Sequence, residues 1–513
     1  MFSIGDQIAH PLHGAGVIDG IEEQRINGVT RKYYRLRMPT GTMDVKIPVD
    51  NCKEIGIRPI ISGEEADELL KELSDAADII MCIHAADIAE HKMRGDLGIT
   101  YDKDALRIID DLRNRGIDVT AVVITRFKGE AAAVAFQKRL EKNGIPVYLH
   151  AGIEGYPMDV DHVVSDSGFG ANPYIKVSRR LVVVTGPGPN SGKMGTCLSQ
   201  MYHDYKRGTI AHYAKFETFP VWNLPLNHPV NLAYEAATAD LRDMNAMDFF
   251  HFEAYGKTTV NYNRDLQAFP LLRTVLQRIA GAECWYKSPT DMGVNCVAQG
   301  IVDDQTVREA ANHEIIRRYF QTFADYKLNR ANAMTISRMQ EVCAKANLNP
   351  EMRDVVVASR KAAEDCRAVG KGNKGIFCGA AIKLDDGTII TGKNSPLMHA
   401  ASSMVINAIK KLAGIPDDHK LLLPEILESV ASFKDSLGAL RSPGLDVSEV
   451  LIVLVVSANT DASAKHAMDC LNGLRNCDMH LTHIPSAGDE AGLRRLGCSF
   501  TYDPLPPTKN LFI

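Results

Sequence analysis

This sequence lacks the features that place a protein at once in a compartment or a chemistry. Its eleven cysteines are scattered, and no two of them form a C-x-x-C pair. That spacing argues against a zinc ribbon or a disulfide framework and is typical of a reduced protein. The first residues lack the basic and then apolar run of a signal peptide, and no apolar stretch approaches the ~20 residues that span a bilayer. We therefore expect a soluble, cytoplasmic protein without a zinc site, and we assign no residue as a metal ligand.

Charge bias and common catalytic signatures are also missing. The chain has 58 Lys and Arg against 63 Asp and Glu, a net charge of −5, so bulk electrostatics do not indicate a nucleic acid as partner. It contains no G-x-S-x-G elbow and no H-E-x-x-H helix. At 513 residues, 45% of them hydrophobic, it is too long for one core, and two to four domains are expected.

The clearest positive signal is the segment Leu181–Gln200, LVVVTGPGPNSGKMGTCLSQ. It predicts a buried strand, a glycine-rich loop with a lysine, and a helix from Met194 to Arg207. Bare backbone amides, a lysine and a helix N-terminus at one point are suited to holding phosphate. The residues expected to bind such a ligand are Gly186, Gly188, Asn190, Ser191, Gly192, Lys193 and Thr196.

The loop departs from the Walker A pattern G-x-x-x-x-G-K-[ST] at two positions. Pro187 stands where the first glycine belongs, and Met194 replaces the hydroxyl that would contact Mg²⁺. Thr196 is two residues too late for that role, and Asp240 and Asp248 are the nearest candidates for a Walker B carboxylate. The ligand is therefore open between ATP, with or without Mg²⁺, and another phosphorylated compound. The alternative is a glycine-rich turn whose lysine is merely solvated.

A long polar and aromatic segment follows, at about residues 211 to 295. Its polar residues interrupt the apolar ones at neither helical nor strand period. Buried polar groups need partners, which a substrate pocket can supply, and surface loops are the alternative. The segment offers carboxylates and a histidine for acid–base catalysis and cations to neutralise an anionic substrate. The candidate catalytic residues are Lys215, Glu217, Glu235, Asp240, His251, Glu253, Lys257, Arg264 and Asp265.

From Asp78 onward, short apolar runs alternate with segments of helical spacing. This pattern predicts an α/β fold with a mostly parallel, doubly wound sheet. Ligands of such sheets bind beyond the carboxyl ends of the strands, where the glycine–lysine loop would lie. The predicted strands are Ile79–Ile83, Asp118–Ile124, Pro146–Leu149, His162–Val164 and Leu181–Val184.

The C-terminal part predicts a second α/β domain. Helices are expected up to Cys366, followed by a hairpin that turns at Asp386-Gly387 and a helix from His399. A β-α-β-α tail then begins with a strand at Glu449–Val456.

The first 60 residues differ from the rest of the chain. They contain short alternating runs without helical periodicity, which predict a small β barrel or a strongly bent sheet. The runs are Gln7–His10, Gly16–Ile21, Lys32–Met38 and Met43–Pro48. An acidic helix is predicted next, at Gly63–Asp75.

The strings GDQIAHPLHGAGVI, YYRLRM and KIPVDN, followed by GIRPIIS, resemble the RNA-polymerase-interacting domain of CarD regulators and transcription-repair coupling factors. The resemblance covers about residues 1–73. It implies a Tudor-like barrel that docks on the β subunit of RNA polymerase by strand addition. Tyr33, Tyr34, Arg35 and Arg37 lie on one candidate strand, and one of the two tyrosines is expected in the core. CarD proteins continue with a basic DNA-binding domain, whereas an acidic helix follows here, so direct DNA binding is not implied.

From about Leu70 the chain resembles the bacterial proteins known as domain of unknown function 1846. The resemblance rests on RGDLGITYD, GYPMDVD, VVVTGPGPNSGKMGTCLSQMYH, AKFETFPVWNLPLNHPVNLAYEAATADL, EAYGKTTVNYNRD and YKSPTDMGVN. It implies little chemistry, although some members carry the label of ATP-dependent peptidase. Members usually begin with a helix and a glycine-containing strand of their own, whose place the β module takes here.

The sequence thus predicts four segments: residues 1–62 as the barrel, 63–77 as a helical linker, 78–330 as the phosphate-binding domain and 331–513 as the C-terminal domain. The favoured function is an enzyme that binds ATP or another phosphorylated ligand and is tethered to RNA polymerase. A non-catalytic, polymerase-associated adaptor or sensor is one alternative. An enzyme of phosphorylated metabolites that does not use ATP is another, and self-association into a homo-oligomer is open.

Overall fold

The computed structural model of the chain describes residues 2–10, 14–26, 29–37, 44–52, 57–60, 68, 72, 76–94, 97–216, 220–294, 301–436 and 444–506. The contacts divide the chain into two compact units. The first comprises Met1–Leu226 and Met244–Asp304, and the second comprises Asn227–Asp243 and Gln305–Ile513. The predicted acidic helix at Gly63–Asp75 lies almost entirely outside the described residues. No helix in the described ranges is long and apolar enough to cross a membrane.

The N-terminal part of the first unit is a five-stranded antiparallel sheet with the strand order β4-β3-β2-β1-β5. Its strands are β1 (Gln7–His10), β2 (Gly14–Ile26), β3 (Val29–Arg37), β4 (Asp44–Pro48) and β5 (Arg58–Pro59). Tyr34 is 3% exposed and packs with Ile8, Leu36 and Ile47, so one tyrosine of the pair does fill the core. Among the described residues, β4 and β5 are the two edges and the sheet does not close into a barrel.

A four-stranded parallel sheet forms the centre of the first unit, and it confirms the predicted α/β fold. The strands that follow β5 are β6 (Ala77–His84), β7 (Met93–Arg94), β8 (Ile99–Thr100), β9 (Ala121–Phe127), β10 (Val147–Ala151) and β11 (Leu181–Thr185). The parallel sheet has the order β10-β9-β6-β11, while β7 and β8 form a small hairpin. The order reverses at β6, so the crevice between β6 and β11 is the topological switch point where such sheets bind ligands.

The helices between these strands are α1 (Ala85–Ala89), α2 (Tyr101–Asn114), α3 (Ala131–Lys142), α4 (Val160–Val163) and α5 (Lys193–Lys206). Helix α4 corrects the strand predicted at His162–Val164. The Asp159 carboxylate accepts a hydrogen bond from the His162 amide (3.1 Å) and caps this turn. A run of three residues, two of them apolar, was too short to distinguish strand from helix.

The described parts of the segment from 215 to 304 contain one long helix and several short strands and helices. Its elements are β12 (Lys215–Phe216), α6 (Pro229–Ala237), β13 (Asn245–Met247), α7 (Phe249–Tyr255), β14 (Val260–Tyr262), α8 (Asn263–Ala280), α9 (Pro289–Met292) and β15 (Gly293–Val294). Strand β12 pairs with β15, and β13 pairs with β14. Phe269, Leu272 and Leu276 of α8 pack with Leu198 and Met201 of α5. Helix α6 belongs to the second unit.

The second unit has a mixed sheet of order β17-β16-β18-β19 with helices packed against it. Its elements are α10 (Asp304–Lys327), α11 (Ala333–Lys345), α12 (Asp354–Ala368), β16 (Gly379–Lys383), β17 (Ile389–Lys393), α13 (Ala400–Leu412), α14 (Pro424–Ser436), α15 (Val447–Ala458), α16 (Ala462–Asp469), β18 (Asp478–Leu481), α17 (Ala487–Arg495) and β19 (Ser499–Tyr502). The antiparallel pair β16 and β17 confirms the hairpin predicted at Asp386-Gly387.

Helix α15 shows that the strand predicted at Glu449–Val456 was wrong. Asp446 and Glu449 form a capping box, in which the Asp446 carboxylate accepts from the Glu449 amide (3.0 Å) and Glu449 Oε2 accepts from the Asp446 amide (2.9 Å). Val450 and Leu454 bury one side of the helix in the core. The cap and this packing outweigh the strand preference of a β-branched run.

Candidate phosphate-binding loop

The glycine–lysine loop, residues 186 to 192, lies at the carboxyl end of β11 and leads into α5. Strand β11 pairs only with β6 in the described sheet, and β6 also pairs with β9. The loop therefore starts at the switch point, beside the strand ends at His84 and Thr125. This is the position that the sequence predicted for it.

Hydrogen bonds hold the loop in one compact shape. Ser191 Oγ donates to the Gly188 carbonyl (3.0 Å), and Lys193 Nζ donates to the same carbonyl (2.9 Å) and to Ser191 Oγ (3.2 Å). From β9, Thr125 Oγ1 donates to the Ser191 carbonyl (2.9 Å) and the Arg126 guanidinium donates to the Asn190 carbonyl. The lysine thus folds back over the loop, which is itself fixed to the end of β9.

Close packing accounts for the glycines of the loop. A Cβ on Gly188 would lie 2.7 Å from the Tyr101 hydroxyl oxygen. Gly192 has φ = +89°, and a Cβ there would lie 2.5 Å from Thr125 Oγ1. The glycines are therefore needed to seat the loop against α2 and β9, and they do not argue for a ligand by themselves.

Packing does not account for the backbone amides of the loop or for the charge of Lys193 in the same way. The amides lack a described hydrogen-bond acceptor, and the ammonium group lacks a described carboxylate partner. The amides of Gly188, Asn190, Ser191, Gly192 and Lys193 donate no hydrogen bond to any residue that the structure describes. Lys193 forms no ion pair with a described carboxylate, and burial lowers the pKa of its ammonium group. A half-buried cation beside unbonded amides is electrostatically suited to an anion.

Thr196 lies apart from the other loop candidates. It is 1% exposed, and the thiol of Cys82 on β6 donates a hydrogen bond to its hydroxyl (3.4 Å). Burial raises the pKa of Cys82 to about 11 and that of Cys197 to about 12, so both thiols are neutral at pH 7. A role of Thr196 toward a ligand remains a prediction that no contact supports.

Two polar residues near the ends of β6 and β9 were missed from the sequence, and one of them, Arg126, contacts the loop at Asn190. His84 ends β6, and burial together with the charge of Arg126 lowers its pKa, so its imidazole is neutral at pH 7. Arg126, near the end of β9, adopts φ = +52°, a backbone conformation that bulky residues rarely keep without a reason. Both residues could have been found from the sequence, because each is a polar residue at the end of an apolar run that was itself predicted as a strand.

Three of the nine candidate catalytic residues come together in the first unit. The Lys215 ammonium contacts the Asp265 carboxylate and lies 3.4 Å from the Tyr262 hydroxyl oxygen. The Arg264 guanidinium stacks 5.5 Å from the centre of the Tyr262 ring. Lys215 and Asp265 are both largely buried, so this is an internal ion pair on β12 and α8.

Glu235 and Asp240 belong to the second unit. Glu235 is fully buried on α6, and its carboxylate contacts the Arg338 guanidinium and lies 3.4 Å from Lys345 Nζ, both on α11. Asp240 is exposed.

The remaining candidates are spread around α7. His251 Nδ1 lies 2.9 Å from Ser288 Oγ, while Glu253 and Lys257 are exposed. The Asp248 carboxylate, considered above as a Walker B group, accepts from the His251 amide (3.0 Å) and from Thr290 Oγ1 (2.6 Å). Glu217 lies outside the described residues. Within the described ranges, no three His, Cys, Asp or Glu side chains are placed to hold a metal ion.

Comparison with known proteins finds relatives over most of the chain. A UPF0371 protein of Clostridioides difficile (strain 630) is 48% identical over 446 residues, which are 87% of this chain and 89% of that protein. A UPF0371 protein of Clostridium tetani (strain Massachusetts / E88) is 46% identical over 445 residues, 87% of this chain and 88% of that protein.

Three family models match in succession along the chain. The CarD-like/TRCF RID domain matches residues 2–61, and the N-terminal and C-terminal parts of the domain of unknown function DUF1846 match residues 50–347 and 351–512. Both resemblances seen in the sequence are confirmed. The chain therefore belongs to the DUF1846 family, and it carries a CarD-like domain ahead of the family's own two parts.

Proposed function

We propose that the loop at residues 186–193 binds the phosphate group of a small ligand, and that the protein acts on this ligand as an enzyme. The observation that carries the proposal is the half-buried Lys193 ammonium beside five backbone amides without a described acceptor. Water or an anion must satisfy these donors, and a phosphate group offers several acceptor oxygens at once. The position at the switch point of the sheet supports the same assignment.

The departures of the loop from the Walker A pattern narrow the chemical identity of the ligand. A Walker A loop presents a hydroxyl to Mg²⁺, whereas here Met194 stands at that position and the Thr196 hydroxyl already accepts from Cys82. We therefore favour a ligand that is held by Lys193 and the backbone amides, with no hydroxyl of the loop coordinating Mg²⁺. ATP remains one such ligand, and a phosphorylated metabolite is the alternative. If the loop binds its ligand without turnover, the protein is a sensor or adaptor.

We further propose that the CarD-like domain tethers the protein to the β subunit of RNA polymerase. Strand addition needs an unpaired edge, and both sides of β3 are occupied by β2 and β4. The edge strand β4, with five residues, offers a longer ladder than β5 with two. The Tudor-like barrel of the CarD relatives remains an expectation from that resemblance.

A thermal-shift panel tests the loop. The wild-type protein is heated with nucleotides, sugar phosphates, pyrophosphate and inorganic phosphate, each with and without Mg²⁺. A ligand at a hundredfold excess over its dissociation constant stabilises the folded state by about 2.7 kcal/mol, which gives a measurable rise in Tm. Lys193→Ala should abolish that rise.

Lys206→Ala is the matched control, because Lys206 ends the same helix but is exposed and pairs with Asp166 at 3.2 Å. It should keep the full shift. If no phosphorylated compound raises Tm, or if both variants respond alike, the loop is a structural turn. Each compound that binds is then incubated with the protein and assayed for product. Product formation indicates an enzyme, and binding without product indicates a sensor.

A further inference from the structure

Five large apolar residues between positions 244 and 255 of the first unit are exposed, three of them on helix α7 and two in the segment before it. They are Met244, Met247, Phe249, Phe252 and Tyr255, which we call the aromatic patch, and each of these residues is 43% to 57% exposed. Phe249, Phe252 and Tyr255 follow one another at intervals of three, so neighbouring rings share one side of the helix. Aromatic residues and Met are the types enriched in protein–protein interfaces.

The size of the aromatic patch suits a modest interface. Large apolar side chains expose about 200 Å² each when free, so five that are half exposed present roughly 500 Å². That is as large as the biggest patches of ordinary monomers, which are often functional. Two such patches placed face to face would bury roughly 1,000 Å², close to the lower limit of about 1,200 Å² for specific interfaces before any polar rim is added.

The charges around the aromatic patch indicate which partner fits. Glu253 and Lys257, one of each sign, are exposed beside it and form no ion pair with described residues. Lys287 and Asp291, again one of each sign, contact the ring and the hydroxyl of Tyr255. In a two-fold symmetric dimer, the same surface of each copy faces the other. A rim that carries equal numbers of positive and negative charges can face itself without net repulsion, so it is compatible with a second copy of the chain.

We propose that the aromatic patch is the contact surface of a homodimer, in which a second copy of this chain covers it. The proposal is independent of the phosphate-binding loop. The apolar core of the patch supplies the stability of the dimer, and the balanced rim selects the second copy.

Sedimentation velocity of the full chain over a wide concentration range tests the proposal. The wild type should show a monomer–dimer equilibrium. Phe252→Ser should raise the dimer dissociation constant about tenfold or more, as loss of a central aromatic anchor does. Phe433→Ser, which changes a residue of the same type that is 62% exposed on α14, should leave the constant unchanged.

Charge reversal distinguishes a second copy from any other partner. Glu253→Lys makes the rim positive on both copies and should weaken the dimer about tenfold. The double variant, Glu253→Lys with Lys257→Glu, restores the charge balance of the rim and should restore the association. A wild type that stays monomeric, an equal effect of the two phenylalanine variants, or a double reversal no better than the single one would each overturn the proposal.

Discussion

Gly192 is the loop residue at which a single methyl group should have the largest effect. Its φ of +89° is strained for any residue with a Cβ, and that atom would lie 2.5 Å from Thr125 Oγ1. We expect Gly192→Ala to lower the free energy of unfolding by about 2 kcal/mol or more. The measurement is urea denaturation followed by circular dichroism.

Gly195 is the control for this change, since it lies three residues further on in α5 and a Cβ there would meet nothing within 4 Å. Gly195→Ala should leave stability unchanged or raise it by up to about 1 kcal/mol, because alanine is the better helix former. Equal losses for both variants would show that the loop is not held in this conformation.

Glu235 should behave as a structural residue of the second unit. Removing it leaves the buried Arg338 without its carboxylate partner, and breaking such a pair costs about 3 to 5 kcal/mol. We expect Glu235→Ala to lose about that much unfolding free energy. Asp240→Ala, three residues after the end of α6 and exposed, should stay within about 0.5 kcal/mol of the wild type. A small effect of Glu235→Ala would return this residue to the list of catalytic candidates.

For individual residues, local patterns could be recognised in the sequence, but partners distant in the chain could not. The loop around Lys193 was found because its strand, glycines and helix are contiguous in the chain. The partner of Glu235 is Arg338, 103 residues later, and Lys215 meets Asp265 at a separation of 50 residues. Only the fold brings these groups together, so the sequence offered a polar segment but no pairing within it.

For the helices and strands, the capping residues at the start of a segment proved a more reliable guide than the composition of the apolar segment itself. The apolar segment at Glu449–Val456 has the composition of a strand, yet Asp446 and Glu449 three residues later match a capping box and mark a helix start. The strands of the parallel sheet, by contrast, were predicted to within a few residues, because each is a short apolar run. The prediction of a buried strand at Leu181–Val184 was wrong in one respect, since Leu181 is 47% exposed.

His399 and Asp489 join the starts of three helices in the second unit, and this joint should respond to pH. His399 precedes α13, Asp489 lies in α17, and Asp489 Oδ1 accepts from the Val447 amide at the start of α15 (3.0 Å). Burial opposes the charged imidazole, but the hydrogen bond from Nδ1 to Asp489 (2.7 Å) and the carboxylate charge outweigh it and raise the pKa of His399.

A histidine whose pKa is higher in the folded state stabilises the protein below its unfolded pKa of about 6.5, and that contribution is lost as the pH rises through the folded pKa. The difference in unfolding free energy between wild type and His399→Gln should therefore be largest near pH 6 and should shrink toward pH 9. Urea denaturation at several pH values measures it. His419→Gln is the control variant, and it should change the unfolding free energy less, because solvent screens the exposed pair that His419 forms with Asp461 at 3.3 Å. A pH-independent difference would contradict the charged pair.

For the molecule as a whole, the order of the family domains was predictable, whereas the assignment of residues 227–243 to the second compact unit was not. The CarD-like match precedes the two DUF1846 matches, as the two resemblances implied. The compact units, however, assign residues 227–243 to the second unit although the chain returns to the first at Met244. Such an excursion depends on contacts such as that of Glu235 with Arg338, for which the sequence contains no local signal.

The two proposed activities should be separable, because they depend on different sheets of the first unit. The CarD-like sheet has its own core around Ile18, Tyr34 and Leu36, whereas the glycine–lysine loop is held by Thr125 and Arg126 of β9. Removing residues 1–62 should abolish co-purification with the polymerase β subunit and leave the ligand-induced rise in Tm intact. Lys193→Ala in the full chain should do the reverse. If the truncated protein still retains the polymerase, the tether lies elsewhere, and if Lys193→Ala releases the polymerase, ligand binding and docking are coupled and the loop acts as a sensor.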